Sequence, residues 1–227
     1  MSTTASHNRR FLLSGRWTPA EIRAIPESLG NVQIAEGEIV ITRERTAPQR
    51  RAWTDEELMA LPEDGNRYEL LDGELIMSPP PGHIHGNIVA LLAMYLNQAV
   101  LPGKLGRVYD QSGFRNGPKN CLAPDISFVS RGKLPAIKRA RRPFPNVAPD
   151  LAIEVKSPSD RMSLFEQRMG KYFAAGTREV WLVMPERQEV RVYRGPETFV
   201  TFGRDETSET DVILGFKLPL ENLFQDD

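Results

Sequence analysis

Two stretches of the chain set charged side chains inside apolar, strand-like runs. One is Ala123-Pro124-Asp125-Ile126-Ser127-Phe128-Val129. The other is Pro149-Asp150-Leu151-Ala152-Ile153-Glu154-Val155-Lys156. Side chains alternate faces along a strand, so Glu154 and Lys156 project to the same side. An unpartnered carboxylate or ammonium is costly to bury. If clustered, Asp125, Glu154 and Lys156 would relieve one another or bind a cation. Carboxylate oxygens are the hard ligands that Mg²⁺ takes, one or two at a time beside several waters. Such an ion polarises a phosphoryl oxygen and lowers the pKa of a bound water. A neighbouring lysine can orient or activate that water and stabilise developing negative charge. The set is thus suited to metal-assisted phosphodiester hydrolysis. On residue types alone a plainer arrangement is favoured, in which Glu154 and Lys156 form a same-face ion pair and Asp125 caps a turn.

These residues need a frame. Thr54 followed by Asp55-Glu56-Glu57 reads as a helix N-cap with acids in the first turn, where the helix dipole favours them. That helix ends at Leu61-Pro62. Two short strands follow in RYELLDGELIM, joined by a tight turn at Asp72-Gly73. From His85, apolar Ile88, Leu91, Leu92, Tyr95 and Leu96 recur at three and four, which predicts a helix ended by Pro102-Gly103. Further strands are predicted at Leu105–Tyr109, Ile126–Val129 and Leu151–Val155. A second long helix is predicted from Arg161 to Ala175, stopped by Gly176. Val180–Met184 and Val190–Tyr193 read as a hairpin, and Phe199–Phe202 and Val212–Leu214 as short strands of the tail. Strands between two long helices predict an α/β (α+β) layout, with a mixed central sheet flanked by helices.

Composition bounds the function classes. The chain has 227 residues, with 29 Lys+Arg against 30 Asp+Glu, for a net charge of −1. No global basic field exists to hold nucleic acid, so any such contact needs a local patch. One cysteine, Cys121, excludes an intrachain disulfide framework and a Cys-rich zinc site. No apolar run approaches the ~20 residues of a membrane helix, and no h-region follows Arg9-Arg10. A cytoplasmic protein with no membrane partner is the expectation. Nucleotide-binding Gly-rich loops and the HExxH zinc pattern are missing.

An internal repeat stands at the front. With an offset of 36, set by Trp17 and Trp53, eight residues match: Trp17, Thr18, Glu21, Ala24, Pro26, Glu27, Gly37 and Glu38. The pattern predicts a duplicated helix–hairpin unit. The copy differs where chemistry is at stake, since Gln33 stands where the second unit has Glu69. Residues 43–51 (RERTAPQRR) read as a linker. The chain therefore divides into residues 1–50, an N-terminal extension that partly repeats the 53–77 unit, and residues 51–227.

The ordered segments RYELLDGELIMSPPP, APDISFV, PDLAIEVKSPSDR, KYFAAGTREVWLV and VRVY resemble the Uma2 family of restriction-endonuclease-like proteins, within the PD-(D/E)xK nuclease superfamily. The resemblance runs from about Trp53 to Tyr193. It implies a four-stranded mixed core sheet flanked by helices and Mg²⁺-dependent (or Mn²⁺-dependent) endonuclease activity. Pro124-Asp125 takes the PD position and Glu154-Val155-Lys156 the (D/E)xK position. Asp125 and Glu154 would ligate the metal, and Lys156 would orient or activate the attacking water. The hairpin glutamates Glu69 and Glu74 match the Y-E-L-x-D-G-E segment; one would complete the acidic cluster, and the sequence does not choose between them. Either equally suits a cross-strand pairing with Arg67. His85 matches a family histidine and could contact a phosphate or a metal-bound water, or serve as a helix-end hydrogen bonder. Arg168 stands where the family usually has lysine; a solvated helix face is the simpler reading of it. Met184 replaces a family aspartate, with a structural consequence at the following turn.

The one local basic patch is Arg131–Arg142 (RGKLPAIKRARR), with six cations and no acids. It lies between the Asp125 and Glu154 strands, so both its ends are expected to return to the site. Lys133, Lys138, Arg139, Arg141 and Arg142 are its candidate DNA-phosphate ligands. No aromatic residue interleaves the patch, so double-stranded DNA is preferred over single strands. A homodimer suits cleavage of both strands. The alternative is a catalytically silent DNA- or partner-binding protein on the same fold.

Overall fold

The computed structural model describes residues 11–13, 31–35, 38–42, 53–140, 142–158 and 160–225. The first ten residues, the helix of the front repeat, the linker and Arg141 lie outside the described residues.

The N-terminal extension contributes β1 (Phe11–Leu13), which precedes the repeat, and β2 (Asn31–Ala35) and β3 (Glu38–Thr42), which belong to it. Helix α1 (Asp55–Met59) opens with a capping box: the Glu57 amide donates to the Thr54 hydroxyl, and the Thr54 amide to the Glu57 carboxylate. The strands β4 (Arg67–Leu71) and β5 (Glu74–Ser78) meet at Asp72 and Gly73, both with positive φ (53° and 86°). Two left-handed residues are what a tight hairpin needs to match the strand twist. All five registered pairs of β2–β3 recur in β4–β5 at an offset of 36; Gln33–Val40, for example, becomes Glu69–Ile76. The two hairpins therefore share a pairing register as well as a residue pattern.

Helix α2 (His83–Val100) starts two residues before the expected His85. It is followed by β6 (Gly106–Asp110), β7 (Phe114–Arg115), β8 (Cys121–Leu122) and β9 (Ile126–Ser130). The basic stretch 131–142 contains helix α3 (Leu134–Ala140). Next come β10 (Leu151–Val155) and helix α4 (Met162–Ala175), which Gly176 closes at φ 99°. The chain ends in β11 (Glu179–Met184), β12 (Glu189–Gly195), β13 (Thr198–Gly203), β14 (Thr207–Glu209) and β15 (Lys217–Pro219). Val212–Leu214 is not a strand: Ile213 and Phe216 anchor in the core while Gly215, at φ 78°, turns the chain between them.

The central sheet has six strands, in the order β13-β12-β11-β10-β9-β6. It is wider than the expected four because the β12–β13 hairpin extends it antiparallel from β11. Only β10 and β11 run parallel, and α4 is the crossover that a parallel pair requires. A second sheet, β1-β5-β4-β8-β7, carries the hairpin. Alternation sorts the side chains of the central sheet. Leu151, Ile153 and Val155 pack with Ile88, Leu92 and Leu96 of α2. Ala152 of β10 packs with Phe165, Met169 and Tyr172 of α4. By the same alternation Glu154 is turned toward α4.

Two glycines test this packing with opposite signs. A Cβ on Gly106 would overlap the Val129 carbonyl oxygen and the Phe128 ring, whereas one on Gly170, inside α4, meets nothing within 4 Å. Gly106→Ala should lose about 1–3 kcal/mol of unfolding free energy in a denaturant titration. Gly170→Ala should gain about 0.5–1 kcal/mol.

Candidate active site

Asp125 immediately precedes β9, and Glu154 lies in β10 beside it, so both carboxylates reach the same end of the central sheet. Arg67 and Glu69 share one face of β4, two residues apart. His85 comes from the first turn of α2, and Arg168 and Tyr172 stand one turn apart on α4. Five elements thus converge on one cleft of about 220 Å³, lined by Arg67, His85, Asp125, Glu154, Lys156 and Arg168.

Asp125 is 1% exposed and fully engaged. Its Oδ1 takes Arg67 Nη1 at 2.5 Å; its Oδ2 lies 3.0 Å from His85 Nε2 and accepts the Val155 amide at 2.8 Å. Burial pushes this carboxyl up. The His85 hydrogen bond, the Arg67 and His85 charges and the Val155 amide outweigh burial and hold it down at about 2. Glu69 is buried as well. Its Oε1 accepts the Ala123 amide at 2.7 Å and its Oε2 is paired with Arg168. Glu154 accepts the Tyr172 hydroxyl on Oε1 at 2.6 Å. Burial raises the Glu154 carboxyl to about 8; the Arg168 charge opposes this, while the Asp125 and Glu69 charges add to it. Lys156 is half-buried at the rim, its Nζ donating to the Ser157 carbonyl at 3.0 Å.

The structure therefore brings Asp125, Glu154, Lys156, His85 and, behind Arg168, Glu69 to one place. Glu74 is half-buried beside the hairpin turn and does not line the cleft. Arg168 is no solvated surface cation: it is buried against Glu69. Its position was legible, because Phe165, Arg168, Met169 and Tyr172 form one helical stripe that is otherwise apolar. Arg67 was readable only as a cross-strand partner, and its contact with Asp125 spans 58 residues of sequence.

The basic stretch does not return to this site. It leaves β9 at Ser130 and rejoins β10 at Leu151, whereas Asp125 and Glu154 lie toward the other ends of those strands, roughly 10–17 Å away at ~3.3 Å per residue. Antiparallel pairing makes this unavoidable. Lys133 is paired with Asp150 at 3.0 Å and donates to the Ala148 carbonyl at 2.9 Å, so it is not a free phosphate ligand. Lys138 and Arg139 are exposed on α3. Arg142 is exposed at the far groove beside Asp55 and Glu56.

Among the described residues no three His, Cys, Asp or Glu side chains cluster as a ready metal cage. The donor chemistry nevertheless fits a hydrated hard cation, which takes one or two carboxylates and keeps its waters. Asp125 is held ionised. Glu154 is a buried carboxyl short of positive charge, and the cleft exceeds the roughly 120 Å³ of four waters at ~30 Å³ each.

Buried carboxylates at one end of a helix-flanked mixed sheet place the chain among restriction-endonuclease-like nucleases in fold. A crystal structure described as "a putative nuclease belonging to DUF820 from Anabaena variabilis ATCC 29413" is similar to it. The two share 25% sequence identity and a TM-score of 0.65, over 76% of this chain and 97% of that one. The model of the Uma2 family, described as "Putative restriction endonuclease", matches residues 55–221. The chain belongs to the Uma2 family. No curated protein matches it. Among the described residues no helix is long and apolar enough to cross a membrane.

Removing Arg168 leaves Glu69 buried and unpaired. Arg168→Met should therefore cost about 3–5 kcal/mol in denaturant unfolding, and adding Glu69→Gln should recover a large part of that loss. A second expectation concerns pH. Glu154 is raised to about 8 in the folded state from an ordinary 4.5. Across that window the unfolded chain releases a proton that the folded chain keeps, so stability falls as pH rises and levels off above it. Asp125 has the opposite sign and matters only in acid, as pH falls below its ordinary 3.8 toward 2. Thermal melts in EDTA from pH 5 to 8 should show the wild type losing ground to Glu154→Gln. A constant difference would mean that Glu154 ionises as an ordinary carboxylate.

Proposed function

We propose that this protein is a divalent-metal-dependent DNA endonuclease that hydrolyses phosphodiester bonds at the Asp125–Glu154–Lys156 cleft. The observation that carries the reading is the convergence of these three side chains, from two adjacent strands, on one cleft in a chain of the Uma2 family. Mg²⁺, or Mn²⁺, held by Asp125 and Glu154 would supply a polarised phosphoryl oxygen and an acidified water. Glu154 would give up its proton on taking part in binding, because a nearby cation favours its ionised form.

The remaining roles fall to the chain's own groups. Lys156 shares the cleft with Glu154 and orients the attacking water or stabilises charge on the phosphoryl oxygens. His85 and Arg67 keep Asp125 ionised and fix its two oxygens. Arg168 and the Ala123 amide hold Glu69 behind the site, and Tyr172 fixes the rotamer of Glu154. These are positioning residues.

One observation favours a second reading, a DNA-binding protein that does not cut. Asp125 already has its charge balanced within the protein by Arg67. Supercoiled plasmid separates the two. With Mg²⁺ or Mn²⁺ the wild type should nick it, EDTA should abolish nicking, and Glu154→Ala and Lys156→Ala should each lower the rate at least 100-fold, the loss expected when a group that stabilises the transition state is removed. Cleavage that survives Glu154→Ala would remove the cleft from the chemistry.

A further inference from the structure

A second groove, of about 170 Å³, adjoins the carboxylate cleft. Lys156 and Met162 line both, so the two lie side by side with these residues between them. The turn between β11 and β12 contributes Glu186 and the exposed Arg187 to it, and β12 contributes Arg191. Three cations, Lys156, Arg187 and Arg191, thus face one carboxylate, Glu186. None of the three forms an ion pair among the described residues. Arg191 is held with its guanidinium 5.3 Å from the centre of the Phe199 ring, an attraction that orients the group without neutralising it. Its buried Nε–H finds no acceptor among the described residues.

This is the reverse of the situation inside the cleft, where Arg67 is on Asp125 and Arg168 on Glu69. It also differs from the basic helix α3, which stands at the other end of β9 and β10 and whose neighbour Lys133 is tied to Asp150. Free positive charge that adjoins the carboxylates is therefore concentrated in the second groove. Such charge attracts the backbone of a nucleic acid and sets its register, without reading bases.

We propose that the Lys156–Arg187–Arg191 groove binds the phosphate backbone of double-stranded DNA and leads the strand to be cut into the Asp125–Glu154 cleft. The assignment rests on the nuclease reading and adds to it the path of the substrate. It moves the DNA contact from the 131–142 stretch to the turn between β11 and β12.

The test is fluorescence anisotropy of the full chain with a labelled duplex, in EDTA so that binding is read without cleavage, over a series of salt concentrations. Each phosphate contact contributes about 0.9 to the slope of log K against log salt. Arg187→Ala/Arg191→Ala should lower the magnitude of that slope by about 1.8 and weaken binding to unrelated sequences alike. Arg187→Glu, at an exposed position that carries no folding risk, should lower it by at least about 0.9. Lys138→Ala/Arg139→Ala should leave it unchanged. An unchanged slope in both groove variants, or a loss carried by the Lys138/Arg139 variant instead, overturns the groove and leaves the nuclease reading standing. Failure of the wild type to bind any duplex, in EDTA and with Ca²⁺ in place of Mg²⁺ alike, overturns both. Loss of slope in the groove variants of a protein that never nicks plasmid upholds the groove and sinks only the nuclease reading.

Discussion

Three carboxylates, Glu69, Asp125 and Glu154, are buried at one end of the central sheet, and the architecture around them answers to that constraint. A buried carboxylate is tolerated only with charge or hydrogen-bond partners. Those partners come from every element nearby: Arg67 from β4, His85 from α2, Arg168 and Tyr172 from α4, and the backbone amides of Ala123 and Val155. The hairpin, both long helices and the central strands must all be in place before the acids are satisfied. The site therefore reports on the whole tertiary structure rather than on one motif.

The compensation is uneven, and that unevenness has chemical meaning. Asp125 receives an arginine, a histidine and an amide, and is held ionised. Glu154 receives a phenol and the charge of Arg168 while facing two other acids, and burial pushes it toward its protonated form. Two carboxyls in one cleft with opposite tendencies leave one held ionised and one that gains from an added cation. In a chain of the Uma2 family, with a nuclease fold, this asymmetry is one ground on which metal-assisted phosphodiester chemistry is proposed there.

Local structure was largely legible, because it depends on local physics. The Asp72-Gly73 turn follows from residues that tolerate positive φ, the α2 and α4 helices from their 3.6-residue stripes, and the start of α1 from its Thr54–Glu57 capping box. The candidate site was partly legible for the same reason, since a lone acid and lysine within an apolar strand run stand out in β10. Where the reading went astray, the deciding contact was distant. In the sequence Arg168 has the look of a solvated cation because its partner, Glu69, is 99 residues away. The basic stretch was expected to return to the site because it lies between Asp125 and Glu154 in sequence. Antiparallel pairing of β9 and β10 sends it to the opposite end.

By itself the sequence determined the residue chemistry, the nuclease-like motif and the elements that carry it, since hydrophobic period, turn residues and capping act over a few positions. It also carried the front repeat, whose hairpin keeps the register of the second. Only the tertiary structure buried Glu69 behind Arg168 and left Glu74 beside the hairpin turn, turned Arg67 and Arg168 inward, and set the groove of Arg187 and Arg191 beside the carboxylate cleft. Those outcomes depend on which strand ends and helix faces meet. That is fixed by sheet order and by the cost of leaving a buried charge alone, and neither is written within any single stretch of the chain.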